Sequence, residues 1–410
     1  MRPAVHFHAG VVALAGALAL GGLAAPAAAK TADGPRIPPE LMAKFKPYDS
    51  PYYTVYSDLE PEKVQLAIVR LTAVALEYHE RTKGFAGQIK GKYPFFMIGD
   101  PKDYAAAGGE AYGVTWGDRL MGLASKEHEK DFWHVIQHEA FHQFAHNVIS
   151  ENLPGWVDEG MAEYFGESLW TGDGLVCGVM PEPRYKRFVP RAKEGKIKPF
   201  KDILLIKASA WAGIEDYDQA LTMIHFCVHA QNGKYQNALS NCIRSAVSGA
   251  TFDRAFAAGF GPNVDAIQQE YVAWWAAQPE SIIEKPYTQA AVATLTSFLA
   301  RAYGQGQRFE NVDEFLQAAR DGSLKKSVKQ PLPAELLKEA LDRAEKLKSW
   351  SLESPSKTAA PRLLLTQADG TVLAGSFTLK QGQVGKVKVD TKEPGKESAP
   401  PKGPPPKAAK

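Results

Sequence analysis

Two short stretches of this 410-residue chain carry side chains whose types and spacing could do chemistry. His138-Glu139-Ala140-Phe141-His142 reads H-E-x-x-H. Trp156-Val157-Asp158-Glu159-Gly160-Met161-Ala162-Glu163-Tyr164-Phe165 follows a short loop later. On a helix, residues four apart point the same way. His138 and His142 can therefore take adjacent corners of a zinc tetrahedron, at Zn–N distances of roughly 2.0–2.1 Å. Glu139 sits beside them, close enough to touch a metal-bound water without being a ligand. A carboxylate of the second stretch can supply a third ligand and leave the fourth position open, which separates a catalytic zinc site from a structural one. His134 and His146 extend the row, but a helix turns about 400° in four residues. The stripe drifts, and the outer pair is expected as polar or packing histidines.

The elements that must position these residues can be read outward from them. The motif helix is expected from Asp131, a good N-cap, to about Asn147, with Phe132, Val135, Ile136, Phe141 and Phe144 available for burial. A second helix is expected over Trp156 to Trp170, ended near Gly172-Asp173-Gly174. Upstream, Tyr52 to Ser57 reads as a strand and Pro61 to about Gly84 as an amphipathic helix. Tyr93 to Ile98 is a further strand, and Pro101 to Ala107 a short helix. Tyr112 to Trp116, a Gly117-Asp118 turn and Arg119 to Ala124 form a hairpin. Its second strand, with Arg119, Leu120, Met121 and Gly122, is expected at an exposed edge, where it could pair with an extended peptide or simply end the sheet. Downstream, Cys177 to Trp211 reads as irregular, with loops that could line a cleft. Helices are expected over Asp216 to Asn232, Tyr235 to Ser248 and Asn263 to Gln278, and helices with loops from Tyr287 to Trp350. Arg362 to Asp390 reads as a small β unit.

With both motifs placed, the chain resembles the gluzincin zinc peptidases, the group containing thermolysin and the aminopeptidase N family. In the aminopeptidases a W-L-N-E-G-F-A pattern follows the H-E-x-x-H helix, and its Glu is the third zinc ligand. Glu159 of Trp156-Val157-Asp158-Glu159-Gly160-Met161-Ala162 matches that Glu. The chain is also similar to uncharacterised bacterial peptidase-MA-like domains over roughly Tyr52 to Trp275, about half its length. The resemblance implies Zn²⁺ as cofactor, Glu139 as general base, and Glu163, one turn beyond Glu159, as the partner of a zinc histidine. The competing assignment exchanges Glu159 and Glu163. Related enzymes stabilise the oxyanion with a downstream Tyr or His, which makes Tyr217 the candidate and His225 and His229 its rivals. The aminopeptidase motif G-A-M-E-N is absent, so specificity for a free amino terminus is not implied.

Composition bounds the rest. With 45% hydrophobic and 23% charged residues a sizeable core is available. A net charge of +2 gives no reason to expect nucleic acid as a partner. Residues 1–29 combine Arg2, an apolar run and Ala25-Pro26-Ala27-Ala28-Ala29, the pattern of a cleaved signal peptide, which predicts a secreted or periplasmic protein. Export permits disulfides, and Cys227 and Cys242 could pair or remain buried thiols. Residues 30–51 read as a linker and 52–282 as the zincin-like peptidase domain. A helical extension (283–355), a small β unit (356–391) and a disordered Pro/Lys-rich tail (392–410) follow. The tail gives at most weak contact with an anionic envelope surface. The expected fold is α+β: a small mixed sheet with helices, then a helical subdomain. The expected function is zinc-dependent cleavage of a peptide or protein substrate. The alternatives are a catalytically silent binding or scaffolding protein of the cell envelope, or a zinc amidase acting on envelope material.

Overall fold

A computed structural model describes residues 36–125, 129–204, 206, 211, 213–279, 284–354 and 359–394, leaving the side chains of 129–131 undescribed. The expected signal segment, and the expected tail from 395 onward, lie outside the described residues. The fold is α+β. No helix among the described residues is long and apolar enough to cross a membrane.

The chain opens with α1 (Pro39–Met42), β1 (Lys46–Asp49), β2 (Tyr53–Ser57), α2 (Pro61–Thr82), β3 (Tyr93–Ile98), α3 (Pro101–Ala106), β4 (Gly113–Trp116) and β5 (Arg119–Leu123). Pro61 starts α2 at a position where its missing N–H costs nothing, and Val64, Ala67, Ile68, Leu71, Val74, Ala75 and Tyr78 form its buried stripe. The five strands lie in the order β1-β2-β3-β5-β4. β2, β3 and β5 run parallel, and the outer strands β1 and β4 antiparallel to their neighbours. Lys46–Asp49, expected as linker, is therefore an end strand. Lys46-Pro47-Tyr48-Asp49 has no strand pattern of its own and takes its pairing from β2, at an edge where Pro is tolerated.

Strand alternation divides the sheet's two faces. Tyr53, Val55, Phe95, Met97 and Leu120 join the core beneath α2, whereas Phe96, Ile98, Met121 and Leu123 pack with Leu41, Phe45 and Tyr104 on the other side. β5 is thus covered on both faces and paired on both edges, with β3 and β4. This corrects the expectation that Arg119, Leu120, Met121 and Gly122 line an exposed edge. Leu120-Met121-Gly122-Leu123 lacks polar alternation, the signature of a strand buried on both sides. The end strand is β4.

Next come α4 (Glu129–Phe144), α5 (Gly155–Gly166), the two-strand hairpin β6 (Leu169–Trp170) and β7 (Leu175–Val176), and α6 (Glu182–Lys193). α4 is already under way at Asp131, which is not its N-cap. It continues into a π-helical turn over Ala145–Ile149. It lies against β4 and β5 because Gly113 and Gly122, cross-strand partners, leave room. A Cβ at Gly122 would stand 2.3 Å from Ile136 Cδ1 and 3.0 Å from Phe132 Cε2. Gly122→Ala is therefore expected to cost about 1–3 kcal/mol through overpacking. Ile136→Val, which removes the clashing methyl, should recover part of that loss in urea unfolding. α5 stops earlier than expected. Ser168 turns its hydroxyl back to the Tyr164 carbonyl, and Leu169-Trp170 pairs with Leu175-Val176 around Gly172, whose φ is +98°.

The remaining helices are α7 (Phe200–Leu204), α8 (Ile214–His229), α9 (Gln236–Val247), α10 (Phe252–Phe260), α11 (Val264–Ala276), α12 (Lys285–Gly304), α13 (Val312–Asp321) and α14 (Ala334–Lys346). α6 and α7 occupy a stretch expected to be irregular. Pro183 and Pro190 mask an amphipathic row of Tyr185, Phe188, Val189 and Ala192. Gly160 lets α8 approach α5, since a Cβ there would lie 2.7 Å from the Ala220 carbonyl oxygen. The three cysteines are free, and Cys227 and Cys242 are buried thiols.

Four antiparallel strands close the described chain: β8 (Trp350–Glu353), β9 (Arg362–Thr366), β10 (Val372–Lys380) and β11 (Gln383–Lys392). Leu295 and Leu299 of α12 share one core with Leu363, Phe377 and Val384, so the expected helical extension and β unit pack as one body. That body meets the rest at the β6–β7 hairpin. There Arg301, 4% exposed, forms two bonds to Asp173 (2.7 and 3.0 Å), and Leu332 covers Gly172.

Candidate metal centre

α4 and α5 cross so that three side chains meet. His138 and His142 stand one turn apart with ring centroids 4.8 Å apart and their Nε2 atoms 3.1 Å apart. One oxygen of Glu159 lies 3.6 Å from each Nε2. Four ligands at roughly 2.0–2.1 Å from zinc stand about 3.3–3.4 Å from one another, and the triangle here has that size. The Glu159 oxygen is buried without a hydrogen-bond partner. A buried carboxylate oxygen facing two imidazole nitrogens is costly unless a cation or proton joins them. The donor set therefore fits a divalent metal, and His138, His142 and Glu159 would hold it.

Glu163 lies on the far side of the His138 ring, with one oxygen 3.6 Å from Nδ1. Its other oxygen accepts a 2.5 Å bond from Arg184. The structure thus gathers His138, His142 and Glu159 on one side and sets Glu163 behind His138.

Two further residues escaped the sequence reading. Asp158 accepts at 3.0 Å from His142 Nδ1 and at 2.9 Å from His146 Nε2. The available signal was its place next to Glu159, one residue round the helix, with His146 one turn past His142. The π-helical turn that follows α4 carries His146, and such widened turns often mark functional helices. Arg184 was missed because α6 was. It is 6% exposed and meets Glu163, Glu167 (2.7 Å) and Asp218 (3.1 Å). His134 lies on the outer edge of this group, 3.7 Å from Glu167 and 3.9 Å from Glu163.

Glu139 is buried beside the pair, and its backbone carbonyl accepts from the Thr115 hydroxyl of β4 at 2.7 Å. Gly113 leaves room for Val135 on the same helix, since a Cβ there would stand 2.5 Å from Val135 Cγ1. Tyr217 occupies the first turn of α8, the helix packed on α5, with its ring centroid 5.7 Å from that of Trp211. The rivals are engaged elsewhere. His225 Nε2 bonds the Gly178 carbonyl at 3.1 Å, and His229 Nε2 meets the Tyr164 hydroxyl at 2.9 Å. Burial holds His225 down to about 4 and His229 to about 3.

The electrostatics of the cluster follow from burial and proximity. Burial, then the neighbouring His142 and His134, keep His138 well below the usual imidazole value. Burial also opposes charge on His142, but Asp158 and Glu159 outweigh it and hold that ring well above its usual value. Burial drives Glu159 up to about 7, against the pull of His142. Both raised groups bind more protons in the folded than in the unfolded chain. In the metal-free protein their stabilisation is present below their unfolded values and is lost as pH rises, for Glu159 through about 7. A divalent metal takes only deprotonated ligands and would have to expel these protons. The affinity of the site for a divalent metal, with zinc as the probe, is therefore expected to fall from about pH 8 to about pH 6, by roughly tenfold per pH unit for each proton released. Competition with a chromophoric chelator across that range measures the slope.

A family model described as "Protein of unknown function (DUF1570)" matches residues 133–246. The matched segment contains His138, Glu139, His142, Asp158, Glu159, Glu163, Arg184 and Tyr217. No curated protein matches the chain.

Proposed function

We propose that this chain is a zinc-dependent hydrolase that cleaves peptide bonds outside the cytoplasm. The observation carrying this reading is the triangle of His138 Nε2 and His142 Nε2 from α4 and a Glu159 oxygen from α5, with sides of 3.1, 3.6 and 3.6 Å, and with Glu139 the residue next to His138. A zinc ion held there would polarise a substrate carbonyl and lower the pKa of a water to about 7.

Glu139 is the group available to take the attacking water's proton on its carboxylate and to deliver it to the leaving amine. Asp158 hydrogen-bonds the outer nitrogen of His142, and Glu163 faces that of His138 at 3.6 Å, so both carboxylates favour rings with the Nε2 lone pairs turned inward. β4, the end strand, lies directly beside Glu139 through the Thr115 bond, which makes Gly113–Trp116 the place for an extended substrate to add a strand. Tyr217 is assigned to oxyanion stabilisation. The gluzincin resemblance supports a peptide as substrate, and the composition of residues 1–29 supports export.

One observation favours the silent, metal-binding alternative. His138, Glu139, His142 and Glu159 are only 5, 6, 5 and 3% exposed. Metal analysis combined with cleavage of a peptide library separates the two readings. Stoichiometric zinc with turnover supports the hydrolase, and zinc without turnover supports the alternative.

A further inference from the structure

We infer that Arg184 is a positioning residue for the metal centre, acting through Glu163 on His138 and through Asp218 on the helix start that carries Tyr217. The inference rests on the hydrolase reading and adds to it a residue from a helix outside both sequence motifs.

A guanidinium is a planar fork with five donors, suited to holding several carboxylates in fixed relative positions. Arg184 bonds through all three of its nitrogens. Nη2 bonds Glu163 at 2.5 Å, Nε bonds Glu167 at 2.7 Å and Nη1 bonds Asp218 at 3.1 Å. Asp218 is anchored a second time by Arg187 Nε at 2.8 Å. The partners come from two helices. Glu163 lies in α5 and Glu167, one turn on, is its C-cap, while Asp218 follows Tyr217 near the start of α8. Arg184 on α6 therefore ties the helix that carries Glu159 to the helix that carries the proposed oxyanion donor.

The orientation of Glu163 shows what the tie does. One of its oxygens is taken by Arg184, which leaves the other aimed at His138 Nδ1 across 3.6 Å. Glu163 Oε1 and His138 Nδ1 are both buried, neither has a hydrogen-bond partner, and each is the charged or polar group the other faces at ion-pair distance. A free carboxylate could rotate away, whereas one pinned by a buried guanidinium presents the same oxygen to the same ring nitrogen. A carboxylate fixed behind a histidine sets the ring's tautomer and angle, and loss of such a partner typically weakens metal affinity by 10–100-fold. A buried ion cluster with no role at the metal would matter for folding alone.

The test uses the full chain with Arg184→Gln, Arg184→Lys, Glu163→Gln and the Arg184→Gln/Glu163→Gln pair. Zinc affinity is read by chelator competition, the visible spectrum after cobalt substitution, kcat and KM on the best library peptide, and thermal melting as a check of folding. Arg184→Gln is expected to weaken zinc by about 10–100-fold, to shift the cobalt spectrum and to lower kcat more than KM changes. The double variant should lose little beyond the worse single variant, because both act through one contact. Arg184→Lys should recover part of the affinity, since an ammonium keeps the charge without the fork.

If Arg184→Gln fails to melt cooperatively, the lysine variant decides: weakened zinc supports the proposal, and wild-type affinity overturns it. Unchanged affinity and spectrum beside a lowered melting temperature, or additive losses in the double variant, would also overturn it while leaving the hydrolase reading intact. A wild-type protein that takes up no zinc would overturn both.

Discussion

Glu139→Gln is expected to bind zinc with wild-type stoichiometry and to hydrolyse its best peptide about 10²–10⁴-fold more slowly, the usual contribution of a positioned base. Glutamine keeps the size of the side chain and the backbone bond to Thr115, so the fold has no reason to change. What it loses is the carboxylate that accepts a proton. The substitution also removes a charge that helps to push Glu159 up, so Glu159 should ionise more readily and remain available to a metal. His142→Ala is the contrasting control. It removes a ligand and leaves Asp158 with His146 alone, and it should lose zinc and turnover together. Turnover persisting in Glu139→Gln would remove Glu139 from the mechanism. Zinc lost from it would make Glu139 a ligand.

Asp173→Ala should lower stability by about 3–5 kcal/mol, because it strands a buried guanidinium. Arg301 is 4% exposed and directs two bonds at Asp173, and among the described residues the backbone carbonyls of Gln330 and Ser297 would remain. The affected seam joins α12 and its sheet to the β6–β7 hairpin, so limited proteolysis should cut between the two bodies before either unfolds. Replacing both partners, as Asp173→Ala with Arg301→Met, should restore much of the melting temperature, since an apolar side chain leaves no charge unpaired. A melting temperature unchanged by Asp173→Ala would show that the seam is held by Leu332 and the Gly172 turn instead.

Elements set by short-range forces are legible in the sequence, and those set by long-range packing are not. α2, β2, β3 and α4 were legible because periodic apolar residues and a Pro at a helix start act within one element. Asp158 was passed over although it sits inside the quoted motif, since its value comes from the two histidines it meets on another helix. α6 was hidden by Pro183 and Pro190, which read as breakers until Tyr185, Phe188 and Val189 find their core.

By itself the sequence determined the local pairing of His138 with His142 and the placing of Glu139 between them, because four residues on a helix return to one face whatever surrounds them. It also determined that the second helix would bring carboxylates. Only the tertiary structure decided which oxygen closes the triangle, that Glu163 stands behind His138, and that β4 rather than β5 ends the sheet. Those outcomes depend on which distant segments pack together: Gly113 and Gly122 admit α4 to the sheet, Gly160 admits α8 to α5, and Arg184 comes from a helix with no visible tie to either motif.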